Sequence, residues 1–267
     1  MSDFPLPAQP PVAPGDSTPA PPADGWAVDA GHGAAWWGTG WRLFTASPWI
    51  WIVMLIVYLA ITLGLGLIPF IGQIASSLLY PVLSAGALIG AREIDRGGAL
   101  KIEHLFSCFN AKAVPLIVVA LIYYACWLVL VFGVVMAVGA MYGFSTLTSM
   151  LSSDPSESGI ALLGALGVGS LIVLLVAALV AVPLVMAMWF APALVVFRGA
   201  DPIGAMRSSF IACMRNMPPF LIYGLLGLLF AIVATIPLGL GWLVFGPVYV
   251  CTVYASYKDI FGSPDSK

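Results

Sequence analysis

Charged residues are missing from four long stretches of the chain, 43–91, 113–153, 158–197 and 216–257. Basic segments separate the first from the second and the third from the fourth, and the short acidic stretch 154–157 separates the middle two. About 20 apolar residues carry a helix across a hydrocarbon core of ~30 Å, so each stretch holds one or two spans. The first divides at Ile68-Pro69-Phe70-Ile71-Gly72 and the last at Ile236-Pro237-Leu238-Gly239, where proline and glycine interrupt the helical pattern. The pattern predicts six spans, near 48–67, 73–91, 114–138, 167–190, 219–235 and 241–257. The fourth is bounded least sharply: Pro183 and Pro192 would kink it or end it early, and 159–166 would form a shoulder before it. A polar loop is expected over 141–159, with Asp154 and Glu157.

The segments that lead into these pairs are amphipathic. Trp37, Trp41 and Phe44 share a helical face and, with Trp36, Trp49 and Trp51, predict an interfacial aromatic belt. In 92–112 a turn at Gly97-Gly98 precedes a stripe of Ile102, Leu105, Phe106 and Phe109, with Lys101, Glu103, His104 and Lys112 off it. In 201–215 Asp201 caps a helix that starts at Pro202, and Ile203, Met206, Phe210 and Met214 form the apolar stripe beside Arg207, Ser208 and Arg215. Both segments predict helices lying on a membrane surface.

Two of the span pairs look like copies. Each turns at Ile-Pro (Ile68-Pro69, Ile236-Pro237) and then carries Pro-Val (Pro81-Val82, Pro247-Val248). Eleven residues after that second proline comes a base followed by an acid, Arg92-Glu93 and Lys258-Asp259. The expected architecture is therefore all-α, a polytopic domain over 34–261 of three helical hairpins, the middle one diverged, with cytoplasmic amphipathic linker helices. An even number of spans separates the copies, so the repeat is parallel. Every Lys and Arg falls on one side of this six-span arrangement, which by the positive-inside rule puts both termini in the cytoplasm of a bacterial inner membrane.

Composition sharpens the class. With 61% hydrophobic and 8% charged residues and a mean hydropathy of +1.04, the chain lies far from the roughly 25% charged of soluble domains. A net charge of −2 offers no footprint for nucleic acid. The four cysteines show no CxxC, His32 and His104 show no ligand spacing, and no cofactor motif occurs, so no metal or cofactor is expected. Residues 1–33 are Pro/Ala-rich and read as a disordered cytoplasmic tail, with 262–267 a short second tail.

The chemistry points away from an enzyme. No catalytic set is evident, and no ionisable residue falls inside an expected span, which counts against ion-coupled transport. The favoured reading is a non-enzymatic protein that organises membrane lipid or a protein partner through Arg92, Arg96, Lys101, Lys112, Arg198, Arg207 and Arg215 on its cytoplasmic face. The alternatives are a passive transporter or channel with Gln73, Ser76, Ser77 and Ser84 in its path, and an enzyme on a lipid or isoprenoid substrate using Glu103, His104 and Asp201. Gly86-x-x-x-Gly90 and Gly139-x-x-x-Gly143 would permit close helix approach.

The segments WRLF…PWIWI, IPFIG…LLYPV…AG, HLFSCF, MAMWFAPALV…AMRSSF and IPLGLG…GPV…KDIF resemble a group of uncharacterised proteobacterial inner-membrane proteins over about 34–261. A looser likeness, centred on Trp189-Phe190-Ala191-Pro192 and Ser209-Phe210, reaches the membrane domain found beside some glycerophosphodiesterases. The resemblance implies fold and compartment, and carries over no catalytic residue.

Overall fold

The computed structural model describes residues 22–110, 112–152 and 168–262. Within them the regular structure is helical: α1 His32–Thr45, α2 Pro48–Gly66, α3 Ile71–Asp95, a 3₁₀ turn Ile102–Phe106, α4 Ala113–Ser152, α5 Val168–Trp189, α6 Ala191–Arg198, α7 Pro202–Arg215, α8 Met217–Thr235 and α9 Trp242–Phe261. Among the described residues five segments are long and apolar enough to cross a membrane: α2, α3, Ala113–Ala140 of α4, Leu171–Arg198 through α5 and α6, and α8. Except on α3, these segments keep most of their side chains on the outside, with Leu63, Leu128, Leu179 and Leu225 each at least 70% exposed. So much outward apolar surface is compatible with lipid and not with water. The protein is a transmembrane protein.

The sixth expected span coincides with α9, which does not reach the same apolarity because it carries Tyr249, Thr252, Tyr254, Ser256, Lys258 and Asp259. Its C-terminal half is buried inside the protein. α4 runs to Ser152, so the polar loop expected at 141–159 begins as helix, and its remainder lies outside the described residues, as do the 159–166 shoulder and tail residues 1–21 and 263–267. The fourth expected span ends at a break at Phe190, with Pro183 inside α5 and Pro192 in the first turn of α6. Proline suits that first turn because its missing N–H would have had no helical partner there.

The three lead-in segments pack inward by one rule. α1 lies on α9, the 3₁₀ turn on α3 and α7 on α5. This corrects three expectations. Trp36, Trp37, Phe44 and Trp51 are core residues, at most 5% exposed, and no interfacial belt; only Trp41 and Trp49 face outward. Trp37 stacks on Tyr223 at 5.0 Å and donates its indole N–H to the Tyr223 carbonyl. The stripe beyond Gly98 makes a five-residue 3₁₀ turn in place of a surface helix, with Leu105 buried and Ile102, Phe106 and Phe109 exposed. α7 buries Ala205, Met206, Ser209, Ala212 and Cys213, leaving Ile203 and Met214 outside. Small side chains let two helices approach closely, while large apolar ones can be solvated by lipid, so the two faces are exchanged relative to a soluble helix.

Within the tail assigned to 1–33, residues 22–31 form a strap across the ends of α7 and α9. Trp26 donates its backbone N–H to Ile260, Val28 donates to the Asn216 side chain, and Asn216 donates back to the Trp26 carbonyl.

Candidate functional site

The ends of α3, α6 and α9 enclose a cavity of about 570 Å³ lined by Arg92, Asp95, Arg96, Arg198 and Lys258, with Phe197, Tyr254, Tyr257 and Phe261 around them. Each side chain arrives by a local rule. Arg92 and Arg96 lie one helical turn apart at the end of α3, and Arg198 and Lys258 occupy the last turns of their helices, where cations complement the helix dipole. α6 then ends at Gly199, whose φ of 64° is the left-handed conformation glycine adopts without cost.

The charges do not cancel. Among the described residues Asp95 is the one carboxylate lining the cavity, and its side chain is 9% exposed. Its Oδ2 accepts from Lys258 Nζ at 2.8 Å and from the Tyr254 hydroxyl at 3.0 Å, and Arg42 of α1 stands 3.9 Å from Oδ1. Asp95 thereby ties α3 to α9 and α1. Arg198 donates to the carbonyls of Pro22 and Phe261, and its guanidinium lies 5.1 Å from the Phe261 ring. Arg92 lies 4.9 Å over Phe197. Neither Arg92 nor Arg96 has a carboxylate partner among the described residues. Two guanidiniums are therefore free to take a polyoxygen anion in planar, two-pronged fashion.

Three of the seven expected basic residues thus meet in one cavity. Lys112 reaches the Val196 carbonyl at 3.1 Å, and Arg215 holds the strap through the Gly25 carbonyl at 2.7 Å. Lys101 and Arg207 are exposed and do not line the cavity. Sequence reasoning passed over Lys258, Asp95 and the tyrosines. The repeat held the signal for the first: Lys258 stands at the position of Arg92, eleven residues after the second proline.

Two of the three residues considered for catalysis, Asp201 and His104, have structural tasks. Asp201 caps α7 by accepting from the Gly204 N–H, and His104 Nδ1 accepts from the Lys101 N–H across the 3₁₀ turn. No hydrogen bond or ion pair links Asp201 to Glu103 or His104. Of the residues considered for a solute path, Ser84 lines an internal cavity while Gln73 is exposed near the start of α3.

No protein-family profile and no solved structure matches the chain. It is similar to a probable inner membrane protein of Burkholderia thailandensis, at 26% identity over 260 residues covering 88% of this chain and 93% of that one. The alignment covers most of both proteins.

Proposed function

We propose that this is a six-span inner-membrane protein that organises anionic phospholipid at the cytoplasmic leaflet, with the cavity at the ends of α3, α6 and α9 as its headgroup site. The observation that carries the reading is the convergence of Arg92, Arg96, Arg198 and Lys258 against the single carboxylate Asp95. Basic pockets at the cytoplasmic ends of membrane helices suit phosphate-bearing headgroups, and the aromatic rim matches the depth at which such groups lie. α9 serves as the sixth span: its polar side chains are sheltered by protein, so it need not be as apolar as a lipid-facing helix. With α9 crossing, the positive-inside rule places both termini and the basic cavity in the cytoplasm. The relative's name, which places that protein in the inner membrane, supports the compartment. The role is read as non-enzymatic, because His104 and Asp201 are occupied with a turn and a cap.

The test is native mass spectrometry of the protein released from nanodiscs containing phosphatidylglycerol and cardiolipin. The wild type should retain anionic lipid. Each base contributes about 1 kcal/mol near an anionic surface, so Arg92→Gln with Arg96→Gln should weaken retention roughly thirtyfold. Arg207→Gln, outside the cavity, should leave it unchanged. Equal loss in both variants would reduce the site to general surface charge, and no loss in either would remove the reading.

A further inference from the structure

A second cavity lies deeper in the bundle, between α3, α4, α5 and α9, away from the basic end. It measures about 340 Å³ and is lined by Tyr80, Tyr123, Tyr124, Trp189, Tyr249 and Ser84, among others. Among the described residues no Asp, Glu, Lys, Arg or His lines it. The Trp189 indole N–H is buried and has no acceptor among the described residues. Nor do the hydroxyls of the four tyrosines engage any described group. A buried donor left without a partner is costly, and in a native protein it marks a place where a partner belongs.

The position of Trp189 is built by a specific device. At the Phe190 break the helical ladder loses a bond, and Ser209 of α7, fully buried, replaces it. Its hydroxyl donates to the Met186 carbonyl at 2.6 Å and accepts from the Phe190 N–H at 2.9 Å. The ring of Trp189 then packs edge-on against Phe220, Tyr223 and Tyr249. The two motifs behind the looser family likeness, Trp189-Phe190-Ala191-Pro192 and Ser209-Phe210, are thus one latch that holds an unpaired donor beside this chamber, and Pro192 is part of the chamber wall.

An apolar groove lies farther along α4 and α5. On α4, Cys126, Leu130 and Gly133 continue the face of Tyr123 at helical spacing. On α5, Leu184 and Val180 continue that of Met188 in the same way. These residues line a groove of about 760 Å³ between the two helices. A hydroxyl-lined chamber without charge, with a long apolar groove farther along the same two helices, fits one kind of molecule, with a neutral head and a hydrocarbon tail.

We propose that this chamber binds an uncharged, chain-tailed amphiphile whose carbonyl oxygens accept from Trp189 Nε1 and the tyrosine hydroxyls, its tail lying between α4 and α5. Two membrane components carry that chemistry, a glycerolipid through its ester carbonyls and an isoprenoid quinone through its ring carbonyls. Anions are excluded by the absence of any cation in the wall. The site is separate from the basic cavity and does not depend on it.

The experiment uses the full chain in detergent with three probes: decylubiquinone, dioctanoylglycerol and dodecane. Binding is followed by tryptophan fluorescence and, for the non-quenching probes, by displacement of decylubiquinone or by native mass spectrometry. At least one carbonyl probe should bind saturably, and which one does so identifies the source. Trp189→Phe keeps an aromatic ring but deletes the donor, and should weaken binding about tenfold. Tyr80→Phe, at a partly exposed position, should weaken it by a smaller factor and provides a second reading should Trp189→Phe fail to fold. Arg92→Gln with Arg96→Gln should leave binding unchanged. Dodecane competing as well as the carbonyl probes, or wild-type affinity in both Trp189→Phe and Tyr80→Phe, would overturn the proposal.

Discussion

α3 and α9 both line the two cavities, and they are also the two helices that the repeat in the sequence pairs with one another. Both are preceded by a turn with a non-glycine residue in the left-handed region, Phe70 at φ 61° and Leu238 at φ 53°. Both bury a proline, Pro81 and Pro247, and both deliver a base to the same basic cavity, Arg92 and Lys258. Their C-terminal ends therefore lie together, as a parallel repeat requires. The contact with the lead-in segment is where they differ. Five residues after the proline α3 has Gly86 and α9 has Thr252. A Cβ on Gly86 would collide with the carbonyls of His104 and Leu105 in the 3₁₀ turn, so there the glycine is on the span. In the other copy Thr252 projects at Gly40 of α1, so the glycine is on the lead-in. The same close approach is reached from opposite sides, and the small residue follows the contact and not the helix.

That difference gives the largest predicted effect. Gly40→Val would press on backbone atoms of Thr252 and Val248 as well as on a side chain. Overpacking of this kind costs about 3 kcal/mol at the upper end of its usual range, and α1–α9 is the most extensive helix contact of the fold. The double variant Gly40→Val with Thr252→Gly should recover part of the loss if the two positions are one contact. Gly133→Ala, with open space beside it, should be neutral. Thermal unfolding in detergent reads all three, and an undisturbed midpoint in Gly40→Val would dissolve the comparison.

Next in size is the tie between the two helices. Asp95→Asn removes the charge that Lys258 and Tyr254 share. Breaking a buried pair costs about 3–5 kcal/mol, but Lys258 is one-third exposed and water takes up part of its charge, so about 2 kcal/mol is expected. Lys258→Met should cost less than Asp95→Asn, because Asp95 keeps its Tyr254 bond and the Arg42 charge nearby. The double variant should be less destabilised than the sum of the two, and strict additivity would mean that the pair carries no coupling.

The legibility of the chain in its sequence divides along the same physical line. The long apolar helices, the Pro-Gly turns, the Asp201 cap and the break near Pro192 follow from local rules, and the sequence displays them. The inward seating of the lead-in segments is not displayed by their apolar stripes, which predict helices on a membrane surface. In lipid, burial is decided by closeness of fit: Ala205, Ser209, Ala212 and Cys213 go inward while Ile203 stays out. Trp36 and Trp37 went the other way because their indoles find acceptors inside, at Asp259 and the Tyr223 carbonyl. Three of the four bases in the basic cavity, Arg92, Arg96 and Arg198, are candidates in the sequence; their meeting is hidden there, since it depends on α3, α6 and α9 ending at one level.

The smallest effect concerns α7 on α5, the third of the lead-in contacts. Cys213 lies on the same buried face as Ser209, and its thiol is directed at the Met186 carbonyl at 3.6 Å. Burial pushes the Cys213 thiol up from 9.0 to about 12, the hydrogen bond with Ser209 opposing it. Below that value the group stays protonated, and the thiolate is the reacting species. In a chain with Cys108, Cys126 and Cys251 changed to alanine, maleimide labelling of Cys213 should thus be slow at pH 8. It should climb about tenfold per pH unit toward pH 10 without levelling. A plateau near pH 9 would mean that α7 opens away from α5 on the labelling timescale. Ser209→Ala leaves the Met186 carbonyl and Phe190 N–H without that side-chain partner and should cost about 1–2 kcal/mol. If the latch is what keeps α7 seated, the same substitution should also speed labelling at pH 8, because the two side chains close one contact.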